Sequence, residues 1–425
     1  IIPIIYSFMP LPKKKHLNHL EKRWIENVVN WMEITVKNHK ITIYFATVIV
    51  IVLGIIGVYQ IRVSGSLIED MPKGVEFYKD IKFFENEFGG IMPLEILVDT
   101  KKKKGVLKLS TLKKMDKINE AIETFPELSK PISVVNLVKY SKQAFYRGNP
   151  KYYQLPTSQE QSSIFSYTKN SDSNAGMLKS FVDSTGRYAR ITTFMKDIGT
   201  NKMDIIQERL QAVIKKEFPE EKYTVSLTGK ALIFIKGTNY LIKNLVISLS
   251  LAVILISLFM AWMFRSPQMI LISLIPNMLP LLITAGLMGF FDIPIKPSTI
   301  LVFSIAFGIS VDDTIHFLAK YRQELMSNRW KVKPSVYAAL RETGVSMFYT
   351  SIVLFFGFLV FTISSFGGTI ALGGLVSVTL LLAMVSNLLL LPSLLLTFEK
   401  KIANKKVFKE PSIRILPPKE GESKK

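Results

Sequence analysis

The sequence predicts a polytopic α-helical membrane protein that carries an α/β domain outside the cytoplasm. Three observations predict this class. Hydrophobic residues make up 48% of the 425 residues, six apolar segments are long enough to cross a bilayer, and one long mixed segment separates the first of them from the rest. Because the hydrocarbon core of a bilayer is about 30 Å thick, a helix of about 20 apolar residues spans it.

Five complete spans and a sixth, longer apolar region are predicted. The five spans are Ile41–Tyr59, Leu245–Phe264, Met269–Phe290, Thr299–Leu318 and Met347–Phe366, and the sixth region is Ile370–Phe398. The sixth region exceeds the length that one crossing needs, so we expect it to begin as a loop or to tilt strongly.

Lysine and arginine residues cluster beside the spans in three places: before the first span, between the fourth and fifth, and after the sixth. Short loops rich in these residues stay in the cytoplasm, and all three clusters fall on one side when six spans alternate. The predicted organisation follows from this threading. It gives a span at 41–61, an extracytoplasmic domain at 62–240, a five-span bundle at 241–398 and a basic cytoplasmic tail at 399–425. Residues 1–40 are predicted to be the end of a preceding span and a cytoplasmic linker, because the opening IIPIIYSFMPLPKKK has an apolar run, a proline and lysines like LLLLPSLLLTFEKK near the other end. The alternative for the opening residues is a peripheral hydrophobic segment.

The net charge of +21 requires no nucleic-acid partner, and none is predicted. Much of the excess lies beside the spans, where it sets the topology and can contact anionic lipid. The absence of cysteine excludes disulfides and thiolate metal sites. The sequence also lacks a Gly-rich phosphate loop followed by Lys-Ser or Lys-Thr, and a His-Glu-x-x-His helix. We therefore predict that the chain is not an enzyme and that ATP does not drive it.

The segment outside the membrane shows a β-α-β pattern twice. The first set is a strand at Ile91–Val98, a helix from Ser110 and a strand at Ile132–Val138; the second is a strand at Tyr188–Met195, a helix at Asn201–Phe218 and a strand at Tyr223–Thr228. This repetition predicts a ferredoxin-like α/β domain, with the polar middle segment as an excursion. A helical pattern from Lys230 to Lys243 would join the domain directly to the second span.

Asp312 and Asp313 lie side by side within an otherwise largely apolar span. A carboxylate at the centre of a membrane helix costs about 2.5 to 3.5 kcal/mol, so it is rarely present without a use. His316 lies four and three residues away, on a shared helix face. Burial disfavours a charged carboxylate, and histidine changes charge near neutral pH. We predict a proton relay of Asp312, Asp313 and His316. The alternatives are a static hydrogen-bonded pair and, for His316, a cap on the helix end.

Weaker candidates are small or polar residues in apolar surroundings: Gly308, Asn277, Thr350, Ser351 and Asn387. The amide and hydroxyl side chains could bond to the carboxylates or join neighbouring helices, and we favour the second role. Gly286 and Gly289 are predicted to be positions where helices approach closely or bend.

The stretch GISVDDTIHFLAKYRQEL, from Gly308 to Leu325, resembles the GxxxDD signature of the fourth and tenth spans in the resistance-nodulation-division (RND) superfamily. The segment IPNMLPLL, from Ile275 to Leu282, and the order of one span, a large outer domain and five spans support the resemblance. The chain is most similar to the C-terminal half of the hydrophobe/amphiphile exporter and Patched-like (MMPL-type) branch. Many relatives have Asp-Tyr where this sequence has Asp-Asp.

The resemblance implies a proton-motive-force-driven exporter of lipid or another hydrophobic or amphiphilic substrate. It further implies an outer domain of the porter type, protons as the coupling ion and no other cofactor. The implied partners are membrane lipid, a hydrophobic or amphiphilic small molecule, and a missing N-terminal half or a second copy. The implied location is a bacterial cytoplasmic (inner) membrane. Two alternatives are a lipid- or sterol-sensing receptor or scaffold without transport, and an accessory to protein export like SecD and SecF.

Overall fold

The computed structural model describes residues 23–66, 68–170, 178–264 and 266–399. In chain order the elements are α1 (Arg23–Asn38), α2 (Lys40–Val58), α3 (Glu76–Glu87), β1 (Met92–Asp99), α4 (Leu109–Glu123), α5 (Val134–Phe145), α6 (Gln161–Asn170), β2 (Tyr188–Met195), α7 (Thr200–Glu217), β3 (Thr224–Thr228), α8 (Lys230–Phe264), α9 (Pro267–Phe290), α10 (Pro297–Ser327), α11 (Val332–Leu359), α12 (Gly367–Val385) and α13 (Leu391–Thr397). The end of a preceding span predicted at the start of the chain and most of the basic tail lie outside these residues.

Six helical segments of the described ranges are long and apolar enough to cross a membrane, which confirms the predicted class. They are Lys40–Val58, Lys230–Trp262, Gln268–Phe290, Pro297–Ser327, Val332–Ile363 and Gly367–Thr397. The sixth consists of α12, a π-helical turn at Ser386–Leu390 and α13. Helix α8 has 35 residues and starts directly after β3. The predicted direct link between the outer domain and the second span is therefore present.

Contacts between helix ends show which ends of the spans lie together. At one end of the bundle, the backbone N–H of Ser64 after α2 donates to the carbonyl of Ile295 before α10, at 3.0 Å. At the other end, the guanidinium of Arg341 on α11 binds both carboxylate oxygens of Glu33 on α1, at 2.5 and 2.9 Å. The first contact lies on the side of the outer domain, and the second lies on the side of the basic loops.

The outer domain is built on an antiparallel sheet with strand order β2-β1-β3. In β1, Leu94, Ile96 and Val98 are fully buried and alternate with more exposed residues, as expected of a strand with one face in a core. Residues of α4 at helical spacing, among them Met115 and Ile118, are buried in the same core. The sheet and helices thus form the two-layer α/β arrangement that the sequence predicts.

One predicted strand, at Ile132–Val138, is wrong. The segment forms α5 from Val134, because Ser133 is a helix N-cap: its hydroxyl accepts from the backbone N–H of Val135 at 3.2 Å, and the Asn136 side chain accepts from the N–H of Ser133. This reciprocal capping stabilises a helix start. Of the predicted strand, Ile132 alone pairs with β2, through Thr192. The described sheet therefore has three strands, where two complete β-α-β units would give four.

Helices α2 and α9 approach each other through glycines, as predicted for Gly286 and Gly289. A Cβ atom added to Gly286 would lie 2.8 Å from the Cα of Gly54, and one added to Gly289 would overlap the carbonyl oxygen of Gly57. Small residues let membrane helices pack backbone to backbone, where van der Waals contact replaces the missing hydrophobic driving force.

Glu160 fixes the segment between α5 and β2, the predicted excursion, by hydrogen bonds to its neighbours. Its carboxylate accepts hydrogen bonds from the Lys142 ammonium at 2.9 Å, the Tyr146 hydroxyl at 2.8 Å and the Thr157 backbone N–H at 2.9 Å. The Lys142 side chain is only 3% exposed, so its ammonium is paired with Glu160 away from bulk water. The hydrogen bonds, that from Lys142 above all, lower the pKa of Glu160 from 4.5 to about 2.

Replacing Glu160 with glutamine should lower the free energy of unfolding of the outer domain by about 1 to 3 kcal/mol at pH 7, because hydrogen bonds to a charged group are lost. The pKa of Glu160 is lower in the folded state, so its stabilisation is complete above about pH 4.5 and is lost as the pH falls toward 2. Urea unfolding of wild type and Glu160→Gln across this range measures the difference. Glu123→Gln, an exposed position on α4, should leave the stability unchanged. A Glu160 effect that does not shrink between pH 4.5 and 2 would contradict the assignment.

Candidate functional site

Helices α10 and α11 border a cleft of about 700 Å³ that contains the predicted relay. From α10 it is lined by Asp312, Asp313 and His316, and from α11 by Thr343, Ser346 and Thr350. The structure therefore brings the three relay residues and Thr350 into one place.

The relay side chains differ in exposure. The side chains of Asp312 and His316 are 70% and 71% exposed, and Nε2 of His316 lies 3.5 Å from Oδ1 of Asp312. Asp313 is half-buried. Because Asp312 and His316 are one helical turn apart, the α-helix itself brings them together. The predicted proximity of His316 to the carboxylates is present, although Asp312 projects out of the bundle.

His316 does not cap a helix end. Helix α10 continues past it to Ser327, so its backbone neighbours are bonded within the helix. Of the two roles considered for this side chain, the cap is wrong, and a role beside the carboxylates stays a prediction.

The opposite face of α10 carries a buried hydrogen-bond network. Asn277 of α9 accepts from the hydroxyls of Ser310 at 2.6 Å and Thr314 at 3.0 Å. Asn387, in the π-helical turn, accepts from Thr314 at 2.9 Å and donates to the Ser310 carbonyl at 3.1 Å. All four residues are buried. This network joins three membrane-spanning segments. The favoured role for Asn277 and Asn387, a bond between helices, is therefore present.

The remaining candidates do not contact the carboxylates through hydrogen bonds in the described part of the chain. Thr350 faces the cleft, but its hydroxyl donates to the carbonyls of Ser346 and Met347 in its own helix. Ser351 is buried within the bundle. Gly308 lies on the exposed face of α10, one turn before Asp312, and a Cβ there would meet no atom within 4 Å.

Charged residues that were not predicted as part of the site lie at one end of the cleft. The ammonium of Lys320 lies 2.5 Å from a carboxylate oxygen of Glu342 on α11 and 3.2 Å from one of Glu324 on α10. Lys320 follows His316 by four residues, so the spacing along α10 could have indicated it. Glu342 belongs to another helix, and its position depends on how the two helices pack.

The position of Asp312 within the span constrains its surroundings. Asp312 lies fifteen residues after Pro297, which is about 22 Å along a helix. A hydrocarbon core of about 30 Å that begins near Pro297 therefore contains Asp312, whereas Lys320 lies near its far boundary. A lipid-exposed charge at such a depth is strongly unfavourable, so this face of α10 needs protein or water against it.

Within the ranges that the structure describes, no three His, Asp or Glu side chains are grouped closely enough to hold a metal ion. The cleft contains two adjacent carboxyl groups, one imidazole, the hydroxyls of α11 and, at one end, the Lys320–Glu342 ion pair. These groups can bind, hold and pass on protons.

Comparisons with known proteins match most of the chain. The sequence profile of the MMPL family matches residues 108–412. A putative membrane protein of the archaeon Methanocaldococcus jannaschii is 28% identical over 139 residues, which is 33% of this chain and 36% of that protein. The cryo-EM structure of the hedgehog release protein Disp from the water bear Hypsibius dujardini superposes with a TM-score of 0.55 at 12% identity, over 88% of this chain and 50% of Disp.

At 12% identity the likeness to Disp shows the fold alone. The chain spans half the length of Disp, and its match covers about a third of the archaeal protein.

Proposed function

The chain belongs to the MMPL family of RND- and Patched-like membrane proteins, and on this premise we propose that it is part of a proton-driven exporter. The proposed substrate is a lipid or another hydrophobic or amphiphilic molecule. The proposed location is a bacterial cytoplasmic (inner) membrane, although the named relative is archaeal.

The proposal rests on one observation: Asp312, Asp313 and His316 all belong to one membrane-spanning helix and line the same cleft beside it. A carboxylate that is neutral when protonated and charged when deprotonated prefers different surroundings in the two states. Loss or gain of a proton can therefore bias the packing of α10 against its neighbours. One charge moved through 100 mV supplies about 2.3 kcal/mol, which is enough to shift a two-state equilibrium about fiftyfold.

The end of the cleft near Lys320 and Glu342 gives the proposed route for protons. Both residues line the cleft and form an ion pair there, and the proposed route has water reaching His316 beside this pair. In the predicted orientation this end is cytoplasmic. We assign Asp312 and Asp313 as the groups that bind and release protons, and His316 as the group that relays protons to them or tunes them.

The proposal includes a protein partner that covers the exposed face of α10. Asp312 and His316 project from the bundle at membrane depth, where lipid would be an unfavourable neighbour. A missing N-terminal half or a second copy would cover this face and complete the relay. That the chain spans half of Disp supports such an arrangement.

Proton flux tests the proposal. We expect the intact protein, reconstituted in vesicles, to carry protons down an imposed gradient when substrate lipid is present. Asp312→Asn and Asp313→Asn should each reduce this flux to the level of empty vesicles, because an amide side chain does not bind and release a proton near neutral pH. Asp292→Asn, an exposed acidic position in the loop before α10, is the control and should leave flux unchanged.

Unchanged flux in both variants would overturn the relay. Binding of lipid by the wild-type protein with no proton flux at all would point instead to a sensing role without transport.

A further inference from the structure

We propose that the ion pair between Asp70 and the buried Lys296 is the joint through which α10 moves the outer domain. Asp70 lies in the connection between α2 and α3, and Lys296 immediately precedes α10. This inference rests on the proposed function, because it assigns a positioning role in the same proton-driven cycle.

Asp70 holds the outer ends of two membrane helices at once. One carboxylate oxygen pairs with the ammonium of Lys296, and the other accepts from the Ser298 hydroxyl in the first turn of α10, at 2.9 Å. Its backbone carbonyl accepts from the N–H of Gly367, where α12 begins, at 2.8 Å. Displacement of either helix end must therefore displace Asp70 or break these bonds.

Lys296 is buried, Asp70 is partly buried, and the pair is closely fitted. The Lys296 side chain is 7% exposed and that of Asp70 is 27% exposed. A Cβ added to Gly368 would lie 2.5 Å from a carboxylate oxygen of Asp70 and 2.7 Å from Ser298. Separating the pair would leave the buried Lys296 ammonium with only the more distant carboxylate of Glu69, 3.9 Å away, which is unfavourable. The two residues should consequently move together.

The same connection is fixed to the outer domain a few residues earlier. The Ser66 hydroxyl and the Ile68 backbone N–H both donate to a carboxylate oxygen of Asp197, which follows β2. The backbone N–H of Asp197 donates to Glu85 of α3 at 2.7 Å, and Glu85 is buried. The chain of contacts thus runs from the start of α10 through Asp70 to the end of a sheet strand.

A matched surface pair joins nearly the same segments. Arg62 binds both carboxylate oxygens of Asp292 through Nε and Nη2, and the two side chains are 61% and 67% exposed. Exposed ion pairs are screened and contribute little to stability. This pair therefore serves as the control for the buried one, since both connect the residues after α2 with the loop before α10.

The test combines variants of the ion pair with Asp313→Asn, in which a neutral amide imitates the protonated aspartate. Hydrogen exchange of the backbone around residues 82–88 and 195–200 is measured in the intact protein, with and without Asp313→Asn. We expect Asp313→Asn to change this exchange in the wild-type background and in Arg62→Gln/Asp292→Asn. In Asp70→Asn/Lys296→Met the response should be lost. The double variant removes both members of the buried pair, so it should keep its thermal stability better than Asp70→Asn alone.

The outcomes separate the two proposals. If Asp313→Asn abolishes proton flux but its exchange response persists in Asp70→Asn/Lys296→Met, the joint is wrong and the continuous helix α8 becomes the connection. If flux is unchanged while the exchange response depends on Asp70 and Lys296, the joint stands and the proton relay is wrong. If Asp313→Asn changes neither flux nor exchange in the wild-type background, both are overturned.

Discussion

Replacing Gly289 with leucine should prevent α2 and α9 from packing in their native arrangement. The backbones of the two helices touch at this crossing, so that even a Cβ on Gly289 would overlap the Gly57 carbonyl oxygen. A leucine side chain cannot be accommodated by rotamer change, because the conflicting atoms belong to the backbone. Overpacking of a well-packed site costs about 1 to 3 kcal/mol or more, and here the whole helix must shift.

The expected result is a large loss of monodisperse protein after detergent extraction and a lower Tm of the remainder. Gly357→Leu is the matched control. Gly357 lies within another membrane helix, α11, on an exposed face, and a Cβ there would meet no atom within 4 Å. Its Tm should stay close to that of the wild type. Equal behaviour of the two variants would mean that the close crossing of α2 and α9 does not stabilise the bundle.

The bundle could be predicted from the sequence because length and hydropathy determine which segments cross a bilayer. The glycine positions followed for a related reason: a Gly-rich stretch in an apolar helix allows close approach whatever its partner is. The partner itself, Gly54 and Gly57 of α2, could not be predicted, since contact between distant helices depends on the complete three-dimensional packing.

In the outer domain, one predicted strand is wrong, and the helices α3 and α6 were not predicted. The apolar residues of 132–138 fit a short strand and a helix equally well, and the capping by Ser133 and Asn136 decided for the helix. Short apolar runs are ambiguous in this way, and a local hydrogen bond can determine the outcome.

The relay residues could be placed on one helix face from their spacing, but their surroundings could not. Helical geometry puts His316 near both aspartates without reference to any other part of the protein. The separation of Asp312 on the exposed face from Ser310 and Thr314 on the buried face depends on where α9 and α12 pack. For the same reason, the polar residues Asn277 and Asn387 bond to those hydroxyls and not to the carboxylates.

Replacing Asn277 with leucine should destabilise the bundle without removing the proton-binding groups. The Ser310 hydroxyl, fully inside the bundle, donates to the Asn277 side chain, and the variant leaves it without that acceptor. A buried polar group left unsatisfied costs about 1 to 3 kcal/mol. We therefore expect a lower Tm, with proton flux per folded molecule close to that of the wild type.

Three comparison variants make this expectation specific. Thr350→Val also removes a hydroxyl from a membrane helix, but that hydroxyl bonds to its own helix and faces the cleft, so its Tm should change little. In Asn277→Leu/Ser310→Ala both partners are replaced, and the double variant should be more stable than Asn277→Leu alone, because the unsatisfied hydroxyl is gone.

Asp312→Asn should show the opposite pattern, with flux lost and Tm kept. If Asn277→Leu instead abolishes flux while Tm is unchanged, the network belongs to the proton path, and the assignment of α10 to one relay face and one packing face is wrong.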